Sequence, residues 1–330
     1  MRALICGISG QDGAYLAELL LKKGYSLTGT SRDAETVSIR NLARLGILNQ
    51  IQLESMATHD FRSVLNVLRK ADADEIYNLS GQSSVGLSFQ QPVETLDSII
   101  SGNLNILEGI RSLGKPARFF SAGSGECYGE TKPAGASEDD PFRPRSPYAV
   151  AKAAAFWLVA NYREAYGLHA STGVLFNHES PIRPARFVTR KIIATACRIS
   201  KGSNEKLVLG NMGIRRDWGW APEYVEAMWL MLQQQAPADF VVATGTSHSL
   251  EDFVREAFAA VNLDWRDHTE ISRSLYRPTD ISEAKGNPEK IAKLLGWKAA
   301  SGMKDVVSMM IQAELTGSIS PGAPAGTEGP

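Results

Sequence analysis

Four side chains set the chemical question. In the stretch SPYAVAK, Tyr148 and Lys152 stand four residues apart, so on a helix they share one face. A cationic lysine beside a tyrosine stabilises the phenolate. Such a tyrosine can take a proton from a sugar hydroxyl as hydride leaves the same carbon for a nicotinamide. The lysine can also hold the ribose of that cofactor. Upstream, RFFSAGSGECYGE at 118–130 runs from an apolar strand signal into small residues, then into Ser124 and Glu126. Exchange of hydride with an alcohol needs no carboxylate, so Glu126 points to a further proton transfer. Taken alone, Tyr-x-x-x-Lys also fits a surface pair, and a glutamate at a strand end also fits a loop cap.

These groups need elements that bring a cofactor to them. RALIC at the N-terminus reads as a buried strand. GISGQDG follows it, and then AYLAELLLKKG has helical apolar spacing. In that strand–loop–helix setting Gly7, Gly10 and Gly13 suit a dinucleotide. The first permits the tight turn, the second lets backbone approach a pyrophosphate, and the third allows close helix–strand packing. The helix N-terminus favours the phosphate charge. A flexible loop is the plain alternative. After the second strand, YSLTGTSR, come Arg32 and Asp33. Arg32 suits a 2′-phosphate through its fixed donors, whereas Asp33 would repel one if it pointed inward. The expectation is NADP in preference to NAD.

Strand signals at DEIYNLS (74–80), ARFFSAGS and HASTGVLFN (169–177) alternate with helical spacing at 37–48, 61–70, 96–113 and 149–167. That alternation predicts an α/β fold with a Rossmann-like, mainly parallel, doubly wound sheet. After Asn177 the chain turns polar and proline-broken in HESPIRPARF. Helices are expected at 188–200 and 222–235, with short strands at KLVLG and FVVAT. A helix from Ser249 starts with something short of a strict capping box. We therefore expect a Rossmann domain over 1–177, with a soft boundary because the parts can interleave. A smaller, mixed α/β lobe for substrate follows over 178–315, and a disordered Gly/Pro-rich tail over 316–330.

Composition removes other classes. Among 330 residues, 35 Lys and Arg face 36 Asp and Glu, a net charge of −1. No basic excess argues for nucleic acid or an anionic membrane as main partner. No run approaches the roughly 20 apolar residues of a membrane span. Cys6, Cys127 and Cys197 are odd in number and form no CxxC, which suits a reducing cytoplasm. Cys127 reads as packing. The five histidines are dispersed without metal-ligand spacing, so no metal is expected. Local cations remain: Arg183, Arg186, Arg190 and Lys191 cluster, and Arg215 and Arg216 precede Asp217. They suit diphosphates, or simply a solvated surface. Trp218, Trp220 and Trp229 read as core.

Longer words then carry a resemblance. GISGQDGAYLAELLLKKGY, EIYNLSGQSSVGLSF, PFRPRSPYAVAKAAAFW, NYREAYGL, LFNHESP, FVTRKI and RDWGWAPEYVEAMWLMLQQ occur in this order. The chain resembles the GDP-mannose 4,6-dehydratases of the extended short-chain dehydrogenase/reductase superfamily from about residue 2 to about residue 310. The resemblance implies conversion of GDP-mannose to GDP-4-keto-6-deoxymannose, with an NADP that is reduced and then reoxidised. It implies Ser124, Glu126, Tyr148 and Lys152 as catalytic residues, Glu126 removing the C5 proton before water leaves from C6. It places cofactor contacts on Gly7, Ser9, Gly10, Gln11, Asp12, Gly13 and Arg32. Further contacts fall on Leu79, Ser80, Gly81, Gln82, Ser83, His178 and Arg183, with Tyr148 and Lys152 shared. GDP-sugar contacts fall on Ser84, Asn177, Val188, Lys191, Arg216, Arg277 and Asp280. A homodimer or homotetramer is implied.

The chain departs from the family pattern in places. Ser124-Gly125-Glu126 stands where the family has Thr-Ser-Glu, so one hydroxyl is missing. ESMATHD lacks an acid near the adenine position, with Ala57 or Thr58 about there. SRDAETVSIR replaces an arginine-rich loop that helps tetramers form. A GDP-heptose dehydratase and a GDP-4-keto-6-deoxymannose reductase, which would not need Glu126, stay open. So does a binding protein that kept the fold without catalysis.

Overall fold

The first strand, β1 (Arg2–Cys6), is buried from Ala3 onward. Ala3 and Ile5 enter one apolar cluster while Leu4 and Cys6 enter another, the two-sided burial of a strand covered on both faces. The computed structural model describes residues 1–318. Its next strands are β2 (Ser26–Ser31), β3 (Ile51–Ser55), β4 (Glu75–Asn78), β5 (Arg118–Ala122) and β6 (Ala170–Leu175). Then come β7 (Asn177–Glu179), β8 (Leu207–Leu209), β9 (Arg215–Trp220), β10 (Phe240–Val242), β11 (Ser247–Ser249), β12 (Thr269–Ile271) and β13 (Glu283–Ala284).

Seven strands form one parallel sheet in the order β10-β6-β5-β4-β1-β2-β3. The order reverses between β1 and β4. In such sheets the crevice beyond the carboxyl ends at the reversal is where a ligand sits. A second sheet sets β11, β9 and β13 side by side with β7 also on β9, and β8 pairs with β12. Its core is built by Ile192, Cys197, Trp218, Phe253 and Met310. Trp218, Trp220 and Trp229 all pack in apolar clusters.

The chain does not stay on one side of residue 177. Helix Ala221–Leu232 sends Tyr224, Val225 and Met228 into the same cluster as Leu16 and Leu20 of helix Gln11–Lys22. β10 then pairs with β6 at the edge of the large sheet.

Local sequence explains most elements, and some differ in detail. Helix 188–200 forms as Val188–Ser200. Between 37 and 48 only Arg40–Arg44 is α-helical. The segment from 96 has a π-helical turn at Asp97–Ser101 before Gly102–Leu113. Ser98 in that turn accepts a hydrogen bond from the Gln82 amide at 3.3 Å, so the irregularity serves the cleft. The helix after Ser249 has a complete capping box, with Asp252 returning the bond to the Ser249 amide at 3.0 Å. The last helix, Met303–Thr316, ends at Gly317 with φ 74. The rest of the expected disordered tail, from 319, lies outside the described residues. Among the described residues no helix is long and apolar enough to cross a membrane.

Candidate active site

A cleft of about 1070 Å³ lies at the carboxyl ends of β1, β4 and β5, closed on the other side by the second lobe. At the end of β5 the chain enters a 3₁₀ turn, Gly125–Tyr128, capped by Ser124, whose hydroxyl accepts from the Glu126 amide at 3.3 Å. Tyr148 sits in the first turn of helix Pro147–Tyr166, which Pro147 and the Ser146 cap start at this point. One turn on, Lys152 Nζ lies 5.8 Å from the Tyr148 ring centre and donates to the Ala122 carbonyl at 2.7 Å. Cys127 Sγ donates to Ala149 O at 3.6 Å, tying the turn to the helix. Ser124, Glu126, Tyr148 and Lys152 thus line one cleft.

Burial dominates the protonation of Tyr148 and Lys152. It pulls Lys152 down to about 8 and pushes the Tyr148 phenol well up, an effect the Ser124 hydroxyl partly offsets. Glu126 faces Arg216, whose Nε is 3.8 Å from its Oε1.

On the opposite side, Gly7 has φ 85, and a Cβ there would stand 2.8 Å from Leu79 O. A Cβ on Gly13 would stand 2.4 Å from Gly7 O, so only glycine lets the loop and helix pack so closely. The helix that follows has no side-chain cap, which leaves its first amides facing the cleft for an anion. Ser9 and Gly10 line the same wall. Gln11 is a brace: it donates to His178 O at 3.1 Å and accepts from Ser180 at 2.7 Å. Asp12 and His178 pair at 3.0 Å, and the His178 ring stacks on Tyr224 at 4.6 Å. Leu79, Ser80, Gly81, Gln82 and Ser83 form the facing loop after β4. Arg183 lines the cleft but is held by Glu179 at 2.8 Å and His178 O at 2.6 Å. A dinucleotide fits this donor set.

The sugar-nucleotide end is less uniform. Ser84, which caps helix Val85–Gln90, lines the cleft with Asn177, Val188, Arg216 and Arg277. Lys191 and Asp280 are not among the cleft-lining residues. Lys191 is exposed and donates to Val208 O at 2.6 Å. Asp280 turns to Arg216 and to the Ile281 amide. A run of charges in sequence does not say which face of a helix each takes, and Lys191 takes the outer one. Arg190 likewise pairs with Glu314 at 2.5 Å.

The sequence reading missed Glu179, Thr189 and Phe176. Buried Glu179 binds Arg183 and accepts from Thr189 at 2.5 Å within the cleft wall. Phe176 packs its ring against Gly125. Glu179 ends a three-residue strand, Phe176 stands between two strands and Thr189 lies in the helix Val188–Ser200, so no shared period marks them.

The fold and the site define a nicotinamide-dependent nucleotide-sugar enzyme of the epimerase–dehydratase class. The model of the GDP-mannose 4,6 dehydratase family matches residues 4–310, and the chain belongs to that family. It is 45% identical to GDP-mannose 4,6 dehydratase 1 of Arabidopsis thaliana over 95% of this chain and 89% of the relative. It is 40% identical to the GDP-mannose 4,6-dehydratase of Sinorhizobium fredii, covering 95% and 96%. Among solved structures it is similar to the NAD complex of Thermus thermophilus UDP-glucose 4-epimerase. There the TM-score is 0.84 and the identity 25%, covering 95% of this chain and 99% of that one. The dTDP-glucose 4,6-dehydratase of Streptomyces venezuelae, also holding NAD, superposes with TM-score 0.85 at 18% identity, covering 94% and 96%. The chain is therefore a nucleotide-sugar dehydratase, a lyase.

These neighbours overturn the expectation of NADP: four of the similar solved structures are NAD complexes, against one NADPH complex. The physical reason lies at Arg32. Its guanidinium, the cation the sequence offered for a 2′-phosphate, is mostly exposed and is shared with the Glu94 carboxylate at 3.3 Å.

Proposed function

We propose that this cleft converts GDP-mannose to GDP-4-keto-6-deoxymannose with NAD held along the glycine loop. The observation that carries the reading is the convergence of Glu126 with Ser124, Tyr148 and Lys152 across from that loop. When bound, the nicotinamide supplies hydride acceptance at C4 and hydride return at C6.

The chain's own residues move the protons. Burial keeps the Tyr148 phenol protonated in the resting site, so it must lose that proton before it can accept one from the 4-hydroxyl. The buried Lys152 ammonium and the Ser124 hydroxyl are the groups at hand to stabilise the phenolate. Ser124 then hydrogen-bonds the C4 oxygen. With a ketone at C4 the C5 proton is acidic, and Glu126 removes it. Gly125 has no hydroxyl to offer, so the same carboxyl donates to the departing C6 hydroxyl. Ser84, Asn177, Val188 and Arg277 hold the GDP-sugar. Three unpaired buried cysteines support a reducing cytoplasm. Exposed Trp157 and Val150 on the Tyr148 helix support a homodimer or homotetramer.

The test is purified protein with GDP-mannose, read by NMR of the product and by deuterium at C5 in D₂O. Glu126→Gln should lower 6-deoxy product formation by about 10²–10⁴-fold. Failure of cofactor-loaded wild type to form the product, or net consumption of reduced cofactor, would sink the reading.

A further inference from the structure

We infer that Glu130 is a positioning residue: it holds the loop that carries Arg277 in register with the turn that carries Glu126. The inference rests on the reading of Arg277 as a GDP-sugar contact given above.

Glu130 is the second carboxylate of the word GECYGE and stands two residues beyond the turn Gly125–Tyr128. It does not line the cleft. Gly129, just before it, has φ 68, and a Cβ there would stand 2.4 Å from Arg143 O, so the chain leaves the turn tightly packed. The Glu130 carboxylate then crosses to the second lobe. Oε1 accepts from the Ser282 amide at 2.6 Å and Oε2 from the Glu283 amide at 3.0 Å. Hydrogen bonds to an ionised acceptor are roughly twice as strong as neutral ones.

Ser282 and Glu283 close the segment between β12 and β13, and Arg277 lies within that segment, lining the cleft with a third of its side chain exposed. The start of the segment is held inside the second lobe, where the Ser272 amide donates to Leu209 O at 2.7 Å. At its end β9 takes the carbonyls. Arg215 N donates to Ser282 O at 2.7 Å and Arg216 Nη1 to Ile281 O at 2.8 Å. These bonds stay within one lobe, so they fold the segment without fixing its distance from Glu126. That distance is set from the large-sheet side by three contacts. Glu130 is one. Arg145 O accepts from Thr279 Oγ1 at 2.5 Å, and Thr131 Oγ1 donates to Glu283 O and accepts from the Lys285 amide at 3.0 Å. Of the three, only the Glu130 contact involves a charged group. Shortening Glu130 leaves the lobes docked through Thr131 but frees the Ser282 amide and loosens the loop that presents Arg277. Tyr148, Lys152 and the glycine loop keep their places.

GDP is the probe, read by calorimetry on the NAD-loaded protein. Glu130→Ala should weaken GDP by about 3–10-fold, the loss expected of one or two partly exposed hydrogen bonds. KM for GDP-mannose should rise by the same factor with kcat within about twofold, as when ground state and transition state lose the same contact. Glu130→Gln, which keeps one acceptor oxygen, should lie between, and it carries the same tests if the alanine variant does not fold. In an Arg277→Gln background, Glu130→Ala should weaken GDP by less than about twofold further, since it acts through Arg277. A Glu130 that serves the fold alone would lower Tm and leave GDP affinity unchanged, and that result overturns the inference. Independent, multiplying effects of the two substitutions overturn it as well, as does a loss of kcat at constant KM. A wild type that binds GDP but makes no 6-deoxy product overturns the dehydration reading, while the GDP cycle still decides the role of Glu130.

Discussion

His178 Nε2 lies 3.0 Å from Asp12 Oδ2, joining β7 to the first turn of the helix that follows the glycine loop. Burial opposes charge on both groups, but their attraction and hydrogen bond prevail. His178 is raised and Asp12 is held well below the usual carboxylate range. The histidine's contribution to stability is complete below its ordinary value near 6.5 and is lost as pH rises through the raised one. The aspartate's contribution is present above the ordinary carboxylate range and is lost as pH falls through its depressed value. His178→Gln should thus cost about 2 kcal/mol near pH 5.5, with a smaller penalty at alkaline pH. Thermal unfolding at fixed NAD across pH checks this, and a penalty that does not vary with pH would contradict it.

Lys152 makes a prediction at the other end of the scale. Burial brings it down to about 8, so it is charged at neutral pH and discharges just above. Product formation should decline through that range. Lys152→Arg, which keeps its charge, should move the alkaline limb upward while lowering kcat about tenfold. Lys152→Met should lower kcat by about 10²–10³-fold at every pH. A kcat–pH profile decides, and an alkaline limb unmoved in the arginine variant would remove Lys152 as its origin.

Gly125 yields a stability prediction. A Cβ there would stand 2.9 Å from three atoms of the Phe176 ring. Gly125→Ser, which restores the hydroxyl of the family pattern, should therefore cost about 1–3 kcal/mol by overpacking. Adding Phe176→Leu should recover part of that. Denaturant unfolding of the single and double variants measures the coupling.

Cys127 stands next to Glu126 yet should be inert. Burial pushes its thiol up to about 12, and Sγ is turned to Ala149 O. Iodoacetamide should leave native activity intact, and Cys127→Ser should keep kcat within about twofold. Rapid inactivation traced to alkylated Cys127 in the folded enzyme would be the contrary result.

The motifs legible in the sequence are those whose partners are close in the chain. Tyr148 and Lys152 share a face because a helix repeats near four residues, and the glycine loop declares its turn and its close packing within seven. Parallel strands buried on both faces show as apolar runs, so most of the Rossmann sheet could be expected, whereas β3, only partly buried at the sheet edge, gave no such run. Of the strands of two or three residues, β8 and β10 showed as the apolar words KLVLG and FVVAT, but β7 and β11–β13 carry no readable period, and the pairing of all six was invisible.

Sequence by itself determined the glycine loop, the Tyr148–Lys152 spacing and the family. Each is written in contiguous words or helical spacing, where chain connectivity imposes the geometry. Only the tertiary structure decided which charges face the cleft. Glu94 reaches Arg32 from 62 residues away, Arg216 meets Glu126 from the other lobe, and Lys191 turns outward. Those choices depend on how two separately formed layers pack against each other, and no local pattern encodes that distance.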